Sequence, residues 1–123
     1  MRKVIVVDDA TTVRKFLREV LEKEGFEVEE AANGLEALEK ALVRDFDLFV
    51  IDINMPVLDG CSLVQKLRES SEIKQVPILI VTTESGEKDI DTAYERGANF
   101  YLVKPVKPKE FLIYVKLLTG VRL

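Results

Sequence analysis

An α/β fold is predicted for this 123-residue chain: a doubly wound parallel sheet of five strands with five helices covering its faces. The first observation behind this is the alternation of apolar runs of strand length with segments of helical period. The second is that three of those runs, VIVV, LFVI and ILIV, are continuously apolar, as strands buried on both faces are. The third is that five such strand–helix repeats consume the whole chain, so residues 1–123 read as one domain, a length sufficient for a proper core.

Taken in order, the first strand runs from Lys3 to Asp8. The helix after it places Val13, Phe16, Leu17, Val20 and Leu21 at the i, i+3, i+4, i+7, i+8 spacing of a buried stripe and ends at Gly25. The second strand, Phe26 to Ala31, interleaves glutamates with apolar residues and reads as an edge. Its helix carries Leu35, Leu38, Ala41 and Leu42. The third strand, Asp47 to Asp52, is followed beyond Gly60 by a helix with Leu63, Val64 and Leu67. The fourth, Pro77 to Thr82, precedes a helix whose apolar face is thin, Ile90, Ala93 and Tyr94, and which is therefore expected to be the most free to shift. The fifth, Asn99 to Val103, leads to a helix with Phe111, Leu112, Val115 and Leu118. The order 2-1-3-4-5, flavodoxin-like, puts strand two at an edge, keeps every crossover right-handed and reverses the winding between strands one and three.

In such sheets ligands bind beyond the carboxyl ends of the strands at the reversal point. Strand one ends in Asp8 and Asp9, strand three in Asp52, strand four in Thr82, and Lys104 follows strand five. Three carboxylates crowded together resist ionising unless a cation offsets their charge. Mg²⁺ fits, since it takes one or two carboxylates and keeps open positions for water or phosphate oxygens; Asp9 and Asp52 could bind it directly and Asp8 could hold a coordinated water. A carboxylate beside a metal and a lysine is a nucleophile towards phosphorus. Lys104 would then neutralise one phosphoryl oxygen, and the Thr82 hydroxyl would contact another.

Singly, these residues have ordinary roles: Asp8 or Asp9 as a helix N-cap, Asp52 and Asn54 as turn formers ahead of Pro56, Lys104 as a solvated loop residue, Tyr101 as packing, Cys61 as a small buried hydrophobe. Their coincidence at one end of neighbouring strands selects the site reading. No GxxxxGK[ST] or GxGxxG pattern is present, and the chain has no histidine to serve as a base.

The stretches VDD at Val7 to Asp9, DINMPVLDG from Asp52 to Gly60, VTT at Val81 to Thr83, Tyr101, and VKP at Val103 to Pro105 resemble the response-regulator receiver domains of two-component systems, most nearly the single-domain, CheY-like chemotaxis regulators. The resemblance spans the chain. It implies that Asp52 accepts a phosphoryl group from a histidine kinase or a histidine phosphotransfer protein. Asp8, Asp9, Asp52 and the backbone carbonyl of Asn54 would organise Mg²⁺, and Thr82 and Lys104 would contact the phosphoryl group. Tyr101 would report its presence by swinging inward, and Lys104–Pro105 would be a cis peptide. Asn54 and Glu84 would tune hydrolysis. Thr83 departs from the pattern by standing where a smaller residue is usual, which bears on the lifetime of the phosphorylated state. The output surface would be helix four, strand five and helix five, acting on a downstream protein.

Composition bounds the remaining classes. A net charge of −4 without a Lys/Arg cluster argues against binding nucleic acid through phosphates. No apolar run approaches the ~18 to 20 residues of a membrane span, and Cys61, the single cysteine, forms no internal disulfide. A cytoplasmic monomer that is a signalling switch rather than an enzyme is expected, acting by protein contact because no length is left for an output domain. Two rivals stand beside it: a haloacid-dehalogenase-like phosphohydrolase, which needs DxD where this chain has DIN, and a pseudo-receiver that binds partners without phosphorylation, against which the intact acidic set speaks.

Overall fold

The structure, a computed structural model, describes residues 2–123. Its elements follow in strict alternation: β1 (Lys3–Val7), α1 (Thr11–Lys23), β2 (Glu27–Ala31), α2 (Gly34–Val43), β3 (Leu48–Ile51), α3 (Gly60–Glu69), β4 (Ile78–Thr82), α4 (Glu87–Arg96), β5 (Phe100–Val103) and α5 (Pro108–Thr119). All strand pairs are parallel, and the order is β2-β1-β3-β4-β5. Each strand is one residue shorter at one or both ends than the span predicted for it.

Alternation along the strands sends successive side chains to opposite faces. Ile5, Val7, Phe49, Ile51, Ile78 and Ile80 therefore join Ala37, Ala41, Leu63, Val64, Leu67 and Ala93 in a core under α2, α3 and α4. Val4, Val6, Leu48, Val50, Leu79 and Val81 join Leu17, Leu21, Phe111 and Val115 in a second core under α1 and α5. The central strands β1, β3 and β4 are buried along nearly their whole length, as continuous apolar runs require.

The stripes of α1 and α2 are narrower than their periodicity suggests. In α1 only Leu17 and Leu21 are buried, and Phe16 is 44% exposed. In α2 the packing face is Gly34, Ala37 and Ala41, which rotates Leu35 and Leu42 towards solvent. The reason is close approach: a Cβ on Gly34 would lie 2.5 Å from the Leu58 carbonyl oxygen, so α2 seats its small residues inward. α4 buries Ala93 alone and leaves Tyr94 exposed, as its thin apolar face implies.

Local chemistry sets the helix ends. Gly25, at φ +88°, turns the chain out of α1, and the N–H of Phe26 returns to the Leu21 carbonyl at 3.2 Å. Asn33 caps α2 by accepting the Glu36 N–H, and Asp59 caps α3 by accepting the Ser62 N–H, each at 2.9 Å. The outer strand β2 is lined with ionic contacts: Glu27 with Lys3, Glu29 with Arg44, and Glu30 with Arg14 and Arg18.

Candidate functional site

The sheet ladder runs on past the strands and so fixes the residues that follow them. Asp8 N–H donates to the Ala31 carbonyl at 3.1 Å, Asp52 N–H to Val7 at 2.9 Å, and Lys104 N–H to Thr82 at 2.7 Å. Asp8, Asp52, Thr82 and Lys104, separated by up to 96 positions, are thereby set around one depression at the carboxyl end of the sheet. Asp52 is further fixed from behind: a Cβ on Gly60 would come within 2.2 Å of the Asp52 carbonyl oxygen, so only glycine lets α3 begin there.

Carboxylate oxygens of Asp8, Asp9 and Asp52 lie within 4.8 Å of one another, Asp8 and Asp52 buried and Asp9 exposed. Lys104 Nζ donates to Asp8 Oδ2 at 2.8 Å and stands 3.6 Å from Asp52 Oδ2. Asp8 Oδ1 accepts the Ala10 N–H at 2.9 Å. Both Asp8 oxygens are thus engaged, and neither aspartate of the pair caps α1, whose N-cap is Ala10 with no side-chain bond. Burial pushes the Asp52 carboxyl above its ordinary range. The Thr82 hydroxyl bond opposes this, the negative charge of Asp8 adds to it, and Lys104 opposes it.

The donor set suits a hard divalent cation. It is all oxygen, it converges from two strands, and three carboxylates with one ammonium leave two negative charges to be balanced. Asp9 and Asp52 have oxygens free for direct ligation; Asp8, doubly hydrogen-bonded, suits a role through water.

Around the rim, the Asn54 side-chain amide donates to the Glu84 carboxylate, and Tyr101 Oη donates to the Glu84 carbonyl at 2.7 Å. Tyr101 is buried, and that burial, with the charge of Asp89 behind it, pushes the phenol up to about 12. The ring is turned inward. Thr82 is fully buried and its hydroxyl faces Asp52. Thr83 points the other way, into an apolar groove of about 550 Å³ shared with Val13, Phe16, Pro105 and Val106, with Lys104 at its edge. The Lys104–Pro105 peptide is cis.

Two contributors escaped the sequence reading. Arg14 Nη1 donates to the Asp8 carbonyl at 2.6 Å, although nothing in its spacing distinguishes it from other charged residues of α1. Val57, in the loop after Asp52, has φ +71° while 74% exposed, a backbone state that no apolar residue announces.

A family model described as the response regulator receiver domain matches residues 4–116. The chain is 38% identical over 116 residues to the transcriptional regulatory protein SrrA of Staphylococcus aureus, covering 94% of this chain and 47% of that protein. It therefore spans about half the length of the curated relatives it matches. Among solved structures, it is similar to the chemotaxis protein CheY4 of Vibrio cholerae, at 39% identity and TM-score 0.90, covering 96% of this chain and 98% of that one. A receiver domain of a sensor histidine kinase from Pseudomonas aeruginosa, solved with a magnesium ion coordinated in its active-site cleft, is similar at 27% identity and TM-score 0.89, covering 97% and 98%.

Proposed function

Since the chain belongs to the response regulator receiver domain family, we propose that Asp52 accepts a phosphoryl group from a phosphohistidine of a histidine kinase or phosphotransfer protein, in a reaction that requires Mg²⁺. The observation that carries this reading is the meeting of three carboxylates within 4.8 Å of one another with Lys104 2.8 Å from one and 3.6 Å from another.

Phosphoryl transfer asks the protein for position and charge rather than for covalent help. Asp52 presents an oxygen on a side chain whose backbone is held on both sides, and it forms the new O–P bond as the P–N bond to the donor imidazole breaks. The nitrogen keeps the electron pair and takes a proton. Lys104 is placed to neutralise an equatorial oxygen and Thr82 to donate to another. Mg²⁺, held by Asp9, Asp52 and the Asn54 carbonyl with Asp8 behind a coordinated water, would supply neutralising charge and favour the ionised nucleophile.

The output is a shift between two arrangements. Added phosphoryl oxygens hold Thr82 towards Asp52, which favours the inward Tyr101 already seen and with it one placement of α4 and β5. Moving such an equilibrium from 1:99 to 99:1 takes about 5.5 kcal/mol, within reach of a few charge-assisted contacts. Tyr94 on α4, Val103 on β5 and Leu117 on α5 are large hydrophobics left exposed for a downstream protein. Asn54 and Glu84 at the rim would set how soon water removes the group, whereas Thr83, expected to share that role, turns its side chain into the groove.

The test is incubation with acetyl phosphate and Mg²⁺ followed by intact mass measurement. The native chain should gain one phosphoryl group and Asp52→Asn none. A native chain that gains nothing, or a variant that gains as much, overturns the assignment.

A further inference from the structure

Both residues of the acidic pair sit in the short loop between Val7, the end of β1, and Thr11, the start of α1, where no sheet or helix bond fixes Asp9. What steadies this loop comes from α1 and β2. Arg14 reaches back with Nη1 to the Asp8 carbonyl at 2.6 Å and with Nε to Glu30 Oε1 at 3.0 Å. Its side chain is only 13% exposed.

Glu30 is in turn held on the sheet. Its backbone pairs with Val6, its carbonyl accepts Lys40 Nζ at 2.6 Å, and its second carboxylate oxygen meets Arg18 at 2.9 Å. Partial burial alone would raise the Glu30 carboxyl; the bonds from Arg18 and Arg14 outweigh it and hold the group ionised. The next residue, Ala31, accepts the Asp8 N–H. Asp8 is therefore gripped at its N–H by the β2 backbone and at its carbonyl by an arginine anchored on β2.

We propose that Arg14 is a positioning residue for the metal centre, fixing the Asp8–Asp9 peptide against β2 so that both carboxylates face Asp52. This rests on the Mg²⁺ reading above. Groups that orient metal ligands from behind typically change metal affinity by 10- to 100-fold when lost. Arg18 provides the internal control, because it shares Glu30 but directs its other hydrogen bond to Glu22 rather than to the Asp8 carbonyl.

The experiment is calorimetric titration of Mg²⁺ into the unphosphorylated chain, with phosphorylation rates from acetyl phosphate measured across Mg²⁺ concentration. Arg14→Gln should weaken Mg²⁺ binding about tenfold and raise the Mg²⁺ needed for half-maximal rate by the same factor, with the rate at saturating Mg²⁺ unchanged. Arg18→Gln should bind Mg²⁺ as the native chain does. Glu30→Gln, which frees Arg14 from its anchor while preserving volume, should weaken binding several-fold and gives the answer if Arg14→Gln does not fold. Native-like Mg²⁺ affinity in whichever of these two variants folds overturns the positioning role while leaving the metal reading intact. So does equal weakening in Arg18→Gln, or a matching loss of rate at saturating Mg²⁺. A native chain that takes up no Mg²⁺ removes the metal reading and this inference together.

Discussion

Burial of Asp52 disfavours its charged form, and that tension is measurable. Burial raises its carboxyl above the ordinary 3.8, so the native state takes up a proton more readily than the unfolded chain. The stability linked to that proton is fully present below pH 3.8 and is lost as pH rises through the raised value. Asp52→Asn removes the buried charge. Its thermal midpoint should exceed that of the native chain at pH 7 without metal, and the gain should vanish in acid; unfolding followed across pH checks both. Val57 carries a different strain, a β-branched residue at φ +71°. Left-handed backbone costs such a residue roughly 1 to 2 kcal/mol, and asparagine tolerates it better. Val57→Asn should therefore raise stability by about 1 kcal/mol in urea unfolding; an unchanged midpoint would show that the loop relaxes without cost.

Among the elements, α4 is fastened at one end. It starts at Gly86 with no side-chain cap and buries only Ala93, whereas its last turn closes through Gly97 in the left-handed region. There Arg68 of α3 donates to the carbonyls of Gly97 at 3.0 Å and Val76 at 2.8 Å and to the Asn99 side chain at 2.7 Å. Those acceptors lose a charged donor together in Arg68→Ala, and a loss of about 3 kcal/mol in chemical denaturation is expected. The same geometry makes the first turns of α4 the part able to move. Tyr101→Ala should leave phosphate uptake intact yet abolish the change in hydrogen exchange that phosphorylation produces in those turns; an undiminished change would separate Tyr101 from the switch. The element scale is also where sequence and structure part. Strand order and the core of α3 follow from apolar runs alone, but periodicity cannot tell which side of a stripe faces inward. Phe16, Leu35 and Leu42 count as apolar in a pattern yet are exposed, and the two leucines of α2 lie outside because Gly34 and small alanines permit a closer approach than leucine would.

At the scale of the whole molecule, several carboxylates are tuned by the fold in the direction opposite to Asp52. The Lys3 N–H lowers Asp47. For Asp59 and Glu30, burial acts upward but is outweighed by Ser62 at the cap of α3 and by Arg18 and Arg14 at the sheet edge. Their contribution is present above the ordinary values of 3.8 and 4.5 and is lost as pH falls through the lowered ones. Stability should decline through that acid range, and Asp47→Ala should flatten the decline. The site as a constellation was legible from sequence because parallel strands deliver their last residues to one end, so Asp8, Asp9, Asp52, Thr82 and Lys104 could be placed together without coordinates. Arg14, Glu30 and the Gly60 contact were not, since they depend on which turn of a helix faces which strand. The charged margin formed by β2 has a consequence beyond the site. A sheet whose outermost strand carries Glu27, Glu29 and Glu30, each held by a cation, offers no comfortable template for a sixth strand from a neighbouring copy. That side of the sheet is thereby guarded against fibrous stacking, and neutralising those glutamates would remove the guard.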